Sequence, residues 1–252
     1  MTAAEGRLEE DLRQWAPQVA VWRRHFRVLN CDMRKHGLTQ DGDSTFVNAV
    51  GLARVLDSLG VRQTHVVGLS LGAVAALDFV LTYPDRVTKL VLASPGLIGF
   101  DLNHDSVLVA NSRRQVAAQQ RHDTLAYAEN FVRSWVDGPR RQPAQTPAAT
   151  RQLAQRMVRD NLHHHQWATS LNFGYSPLPR QRLPEVQTPT LVLTGTLDMQ
   201  DILSIGDELT QKMPHVRRVS IPGAAHLLNL EQPHRFTAEV QKFLLEKRNP
   251  GR

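Results

Sequence analysis

A single cysteine, Cys31, stands among 252 residues, so no internal disulfide can staple this chain. Cys31 lies in the apolar run FRVLNCDM and is expected to be a buried core thiol. Long apolar runs are also missing: no window reaches the roughly 18 unbroken apolar residues that a membrane-crossing helix needs. The start, MTAAEGRLEEDLRQW, is polar and acidic and lacks the charged-then-apolar order of a signal peptide. A cytoplasmic location is the expectation. Repeats and low-complexity segments are absent, and GPRRQPAQTPAAT is the most linker-like piece.

What is present reads as a globular chain, with 41% hydrophobic and 21% charged residues. Its length suits one large α/β domain. The net charge of +6 raises the question of nucleic acid. The arginines are scattered, however, with pairs at Arg23-Arg24, Arg113-Arg114, Arg140-Arg141 and Arg217-Arg218. No aromatic-interleaved basic motif accompanies them. Neither nucleic acid nor a membrane is expected as a partner.

From residue 26 short β-branched runs alternate with amphipathic stretches. FRVLNCD reads as a strand and DSTFVNAVGLARVLDSLG as a helix, with Phe46, Val47, Val50, Val55, Leu56 and Leu59 near helical spacing. Ser44 or Thr45 can cap that helix and Gly60 follows it. THVVGLS is a strand that runs into helix LGAVAALDFVLTY, which stops at Pro84. VTKLVLASP is the next strand. Further on come strand TPTLVLTG, helix DILSIGDELTQKM, strand VRRVSIP and helix PHRFTAEVQKFLLEK, with Pro233 suited to a first turn. The alternation predicts a mainly parallel sheet flanked by helices. Between residues 97 and 185 the strand pattern lapses into helical stretches such as DSVLVANSRRQVAAQQ and PAATRQLAQRMVRDNLHHH. That segment is too long for a plain loop and predicts a helical insertion. Residues 1–96 and 186–252 would then form the core, and 97–185 the insertion.

The stretch HVVGLSLGAVAAL holds Gly68, Ser70 and Gly72 as Gly-x-Ser-x-Gly between a strand and a helix. That placement defines a nucleophile elbow, in which a tight turn projects the serine hydroxyl at a helix N-terminus. There the Leu71 amide can donate to an oxyanion, and the helix dipole favours negative charge. A serine nucleophile needs a base and the base an orienter. Asp198, in LVLTGTLDMQD, falls in a loop after a strand, with Asp201 as a competitor placed at the start of the next helix. His226, in VSIPGAAHLLNLEQP, falls in the loop after the last strand. The order Ser70, Asp198, His226 is that of an α/β-hydrolase triad. His163, His164 and His165 are consecutive, point apart on a helix and read as a solvated face rather than a metal site. Trp135, Met157, Trp167 and Phe173 read as core or pocket lining. No metal or cofactor is expected.

On these motifs the chain resembles the α/β-hydrolase superfamily, and within it the cofactor-free esterases and lactonases that include 3-oxoadipate enol-lactonase. The resemblance runs from about Trp15 to Phe243. WAPQVAVWRRHFRVLNCDMRKHG is similar to the family's helix, strand and D-x-R-G-H-G turn, with Lys35 where a glycine is usual. YPDRVTKLVLASPGLIGF resembles the strand after the elbow helix, and FVRSWVDGP the helical cap. Members with an aspartate nucleophile are disfavoured by the serine at position 70.

The resemblance also implies strands ahead of this region, one ending in a His-Gly loop that donates the second oxyanion amide. Nothing before Trp15 reads as a strand, and Glu5-Gly6-Arg7 holds no histidine. The expectation is an N-terminally shortened α/β-hydrolase with a gap mid-sheet. Either the first residues fill the gap, the remaining strands close up, or the reading frame is truncated or mis-started. Arg7 N–H is the candidate second oxyanion donor, and loss of one donor would cost about 3 kcal/mol. The activity implied is hydrolysis of a small-molecule carboxylic ester or lactone. The alternatives are a C–C bond hydrolase or cofactor-free perhydrolase on the same triad, or a catalytically impaired ligand-binding member. A second copy of the chain stays open as a partner.

Overall fold

Six parallel strands form one sheet in a computed structural model, which describes residues 2–5, 11–39, 48–102, 105–165 and 177–247. The strands are β1 (Thr2–Glu5), β2 (Val28–Asn30), β3 (Thr64–Leu69), β4 (Val87–Ala93), β5 (Thr190–Gly195) and β6 (Val216–Ile221). Their spatial order is β2-β1-β3-β4-β5-β6. The helices are α1 (Ala16–Trp22), α2 (Asn48–Ser58), α3 (Leu71–Thr82), α4 (Ser106–Gln120), α5 (Thr124–Val132), α6 (Ala148–His164), α7 (Gln200–Lys212), α8 (Leu228–Glu231) and α9 (Pro233–Leu245). A π-turn, Arg133–Asp137, continues α5.

The expectation of no strand before Trp15 is corrected. Thr2–Glu5 pairs with β2 on one side and β3 on the other, in the slot where a gap was expected. The segment TAAE carries little intrinsic strand preference. Pairing on both sides supplies it instead, because the facing N–H and C=O groups of β2 and β3 need partners. The candidate donor Arg7 lies outside the described residues, as do the caps Ser44 and Thr45 and the residues Phe46 and Val47.

Burial follows position in the sheet. β4 is buried at six of seven positions and β5 throughout, whereas the edge strand β6 is mostly half-exposed. Near-continuous apolar runs such as VVGL and LVLA are what a strand covered on both faces requires. At one end of the molecule Trp15, Trp22 and Phe236 pack ring on ring at 6.1–6.3 Å between α1 and α9. Cys31 is half-buried rather than a core thiol, because β2 is the other edge of the sheet. No helix among the described residues is long and apolar enough to cross a membrane.

Several of the paired arginines are engaged within the chain. Arg217 pairs with Glu246 at 2.9 Å and lies over the Phe243 ring. Arg218 pairs with Asp207, and Arg114 donates to Asn111 Oδ1 at 2.8 Å.

Lys35 sits at φ +64°, the left-handed conformation that a glycine in that turn would take without cost. A non-glycine residue there carries about 1–2 kcal/mol of strain. Part of the relief in Lys35→Gly is offset by a freer unfolded chain. The variant should gain about 0.5–1 kcal/mol, read as a melting midpoint ~1–4 °C higher by calorimetry.

His65, in β3, meets Thr88 Oγ1 at 2.7 Å and the edge of the Phe26 ring. Burial, with nearby positive charge adding, lowers its pKa from 6.5 to about 4. The unfolded chain takes up this proton below about 6.5 and the folded chain only near 4, so stability falls as pH drops through that window. His65→Gln should flatten this segment of a stability-versus-pH curve; an unchanged slope would assign it to another group.

Candidate active site

The site is built where the strands end. Ser70 follows β3, Asp198 follows β5 and His226 follows β6, all at the carboxyl edge of the sheet. Crevices at that edge are where open α/β sheets place their ligands.

Ser70 has φ +55° and ψ −112°, a conformation that L-residues avoid. Four bonds hold it there. Its N–H donates to Ala93 O at 2.9 Å, and its carbonyl accepts from Ala73 N–H at 3.0 Å, Val74 N–H at 3.2 Å and Gly96 N–H at 3.3 Å. Gly68 explains why the turn can be so sharp. A Cβ at Gly68 would collide with Gly72 O, Gly72 C and Ala73 N, the backbone of the first turn of α3. The first glycine of the motif therefore lets the strand lie directly against the helix that leaves it. Leu71 is the first residue of α3, and its N–H belongs to the turn that has no intrahelical acceptor.

Asp198 and His226 are brought together. His226 Nδ1–H donates to Asp198 Oδ1 at 3.1 Å and Oδ2 at 3.2 Å, with both side chains 1% exposed. Because the carboxylate can only accept, this bond puts the proton on Nδ1 and leaves Nε2 as the acceptor. Nε2 is buried and has no hydrogen-bond partner among the described residues, so the Ser70 hydroxyl is not bonded to it. Asp198 also accepts from Met199 N–H at 2.9 Å. Asp201 lies in the first turn of α7, and it is Asp198 that meets the histidine.

The acid loop and the histidine loop are joined by one backbone–backbone bond and one from backbone to a side chain. Leu197 N–H donates to Ala224 O at 2.9 Å, and Gly223 N–H to Thr196 Oγ1 at 3.0 Å. Gly195 makes this approach feasible, since a Cβ there would strike Ala224 O and Ala225 O. The sequence singles out Gly68 and Gly72 but not Gly195; its signal is a glycine at a strand end three residues before the acid.

The helices between β4 and β5 reach the same edge. The Trp135 ring, on the π-turn, lies 4.7 Å from the His226 ring, tilted by 53°. Arg140 donates to Thr196 O at 3.0 Å. Asn161, on α6, accepts from Gly37 N–H at 2.7 Å, and Arg13 pairs with Asp160 at 2.7 Å. Met157 is core, while Trp167 and Phe173 lie outside the described residues. His163 and His164 are exposed, and His165 meets Gly37 O at 3.2 Å. Among the described residues no group of three or more His, Cys, Asp or Glu could hold a metal ion.

Residues 12–240 match the model of the alpha/beta hydrolase family, and the chain belongs to that family. Over 229 residues it is 29% identical to a 2-hydroxy-6-oxononadienedioate/2-hydroxy-6-oxononatrienedioate hydrolase of Burkholderia vietnamiensis, covering 87% of this chain and 76% of that one. It is 24% identical to 3-oxoadipate enol-lactonase 1 of Acinetobacter baylyi, over 94% of this chain and 85% of the relative. The fold is shared with a thermophilic esterase from Thermogutta terrifontis at a TM-score of 0.79, with 22% identity over 96% of this chain and 88% of that one.

The two kinds of glycine give a paired test. Gly195→Ala should cost about 3 kcal/mol or more, since backbone must move to admit the methyl. Gly51→Ala, in α2 with nothing within 4 Å among the described residues, should gain about 0.5–1 kcal/mol. Urea unfolding of both variants reads the difference, and equal effects would refute the close-approach argument.

Proposed function

We propose that the chain is a serine hydrolase of carboxylic esters or lactones, with Ser70 as nucleophile, His226 as base and Asp198 as orienter. One observation carries this reading. A strained serine at a strand-to-helix turn shares a sheet edge with a buried Asp–His pair whose Nε2 has no partner among the described residues.

Ser70 Oγ attacks the acyl carbon as its proton passes to His226 Nε2. Asp198 stabilises the imidazolium that forms. The carbonyl electrons move onto oxygen, and that oxyanion accepts from Leu71 N–H at the positive end of α3. Collapse expels the alkoxide, which takes the proton from His226 and leaves an acyl-serine. A water, deprotonated by His226, then releases the acid and returns the proton to Ser70. Ser70 and Nε2 are not hydrogen-bonded to each other, and catalytic bonds of this kind tighten when substrate binds. Residues 97–185 act in this reading as the cap over a core of 1–96 and 186–252, with Trp135 as part of its inner wall.

A C–C bond hydrolase on the same three residues is the second reading, favoured by the 29% identical relative. Both readings demand an activated Ser70.

Intact-mass labelling with a fluorophosphonate tests that demand. One adduct should form on the wild type and none on Ser70→Ala. Asp198→Asn should slow labelling by about 10³–10⁴-fold, since the imidazole then loses its tautomer. Folded wild-type protein that takes no adduct would refute the proposal and leave an impaired ligand-binding member of the family.

A further inference from the structure

His226 is held by more than Asp198. Glu231 ends α8, five residues after the histidine, with its side chain 1% exposed. Its Oε1 accepts from the N–H of Ala225, the residue directly before His226, at 3.0 Å. Its Oε2 pairs at 2.6 Å with Nη1 of Arg141, a guanidinium that is itself buried. Arg141 spends its other donors on the π-turn: Nη2 to Val136 O at 2.7 Å and Nε to Asp137 O at 2.9 Å. That turn carries Trp135, whose ring lies against His226.

The contacts close into a ring. His226 is fixed on its chain side through Ala225 and Glu231, and on its face through Trp135. One ion pair joins the two supports. A π-turn ends on carbonyls that no helical N–H can satisfy, and the fork of Arg141 reaches two of them while still meeting a carboxylate.

The arrangement is a poor choice for stability alone. Burial pushes the Glu231 carboxyl up, Arg141 pulls it down, and the charge of Asp198 pushes it up again. A buried ion pair gains little over an apolar pair of the same shape, and fixing one arrangement against others is the use that this geometry suits. Here the arrangement fixed is that of the imidazole between Trp135 and Asp198.

We infer that Arg141 and Glu231 are positioning residues, a latch between the π-turn and the histidine loop that sets the orientation of His226. The inference rests on the reading of His226 as the base, but its structural part can be tested without turnover.

The test uses the full chain and two readouts. The first is the low-field proton NMR signal of His226 Nδ1–H, assigned by its loss in His226→Gln. It should be sharp in the wild type, and lost to solvent exchange in folded Glu231→Ala and Arg141→Ala. The second is hydrolysis of p-nitrophenyl acetate. In both alanine variants kcat should fall by about 10²-fold, the cost of a misplaced catalytic group, with KM held within about twofold because substrate contacts stay. Glu231→Gln keeps one of the two acceptor contacts, and Arg141→Lys keeps the charge without the fork; each should fall between wild type and its alanine variant. The double alanine variant should be no slower than the slower single one, as for residues acting as a unit. If an alanine variant fails to fold, these milder ones carry the same comparison. A wild type without the NMR signal, or folded variants that keep both the signal and kcat, would overturn the latch. Wild-type protein with the signal but no Ser70-dependent hydrolysis would instead refute the proposed reaction and leave the latch standing.

Discussion

The carboxyl edge of the sheet depends on how closely backbone can approach backbone. At Gly68 the last strand residues lie against the first turn of α3, and at Gly195 the end of β5 lies against the histidine loop. Each contact excludes even a methyl group. The hydrogen-bond ladder then runs past the strand ends, from Ser70 N to Ala93 O and from Ser94 N to Leu193 O. Thr196 N–H adds a bond to Ile221 O. These bonds hold Ser70 and Ser94 at positive φ, where neither would rest alone. The strain at Ser70 is stored in the turn and carried by the sheet behind it, whose strands β4 and β5 are almost wholly buried.

Much of this was legible in the residues. Ser70, Asp198 and His226 each stand next to an apolar run that has to be a strand, so chain order alone placed them at one edge. Lys35 stands where the family's turn has a glycine, and the positive φ there came only with the backbone. Strand β1 was not legible, because TAAE holds no apolar pattern and its pairing is imposed by neighbours on both sides. Gly195 was hidden for a similar reason. A glycine at a strand end is common, and only the path of the loop 30 residues later shows why it must be one. Trp135 could be read as core or lining, but its contact with His226 depends on a π-turn that no spacing rule reveals.

The positive charge of the chain is also a matter of placement. Arg217 and Arg218 lie on the edge strand, where their charges meet Glu246 and Asp207. Exposed pairs of this kind contribute little each. Arg141 has the same sequence context, one of two adjacent arginines, but a different environment. Its guanidinium is buried, bidentate to two carbonyls and paired with a buried carboxylate. Loss of one partner there leaves a charge that water cannot reach. Adjacent arginines in a sequence therefore say little until burial separates a solvated pair from a structural one.

The segment between β4 and β5 touches the parts of the chain that follow β2, β5 and β6 through side chains of different character. Asn161 meets Gly37 by a neutral hydrogen bond, Arg140 meets Thr196 O at the surface, and Arg141 meets Glu231 in the interior. The same segment that would shape the space for a substrate therefore also supports the proposed base. On the proposed reading, specificity and rate are then not independent properties. A change that widens the space by moving the π-turn moves Trp135, and with it the face against which His226 rests. Reshaping of the wall without loss of the base would have to come from α4, α5 or α6 at positions that leave Val136 O and Asp137 O where Arg141 can reach them.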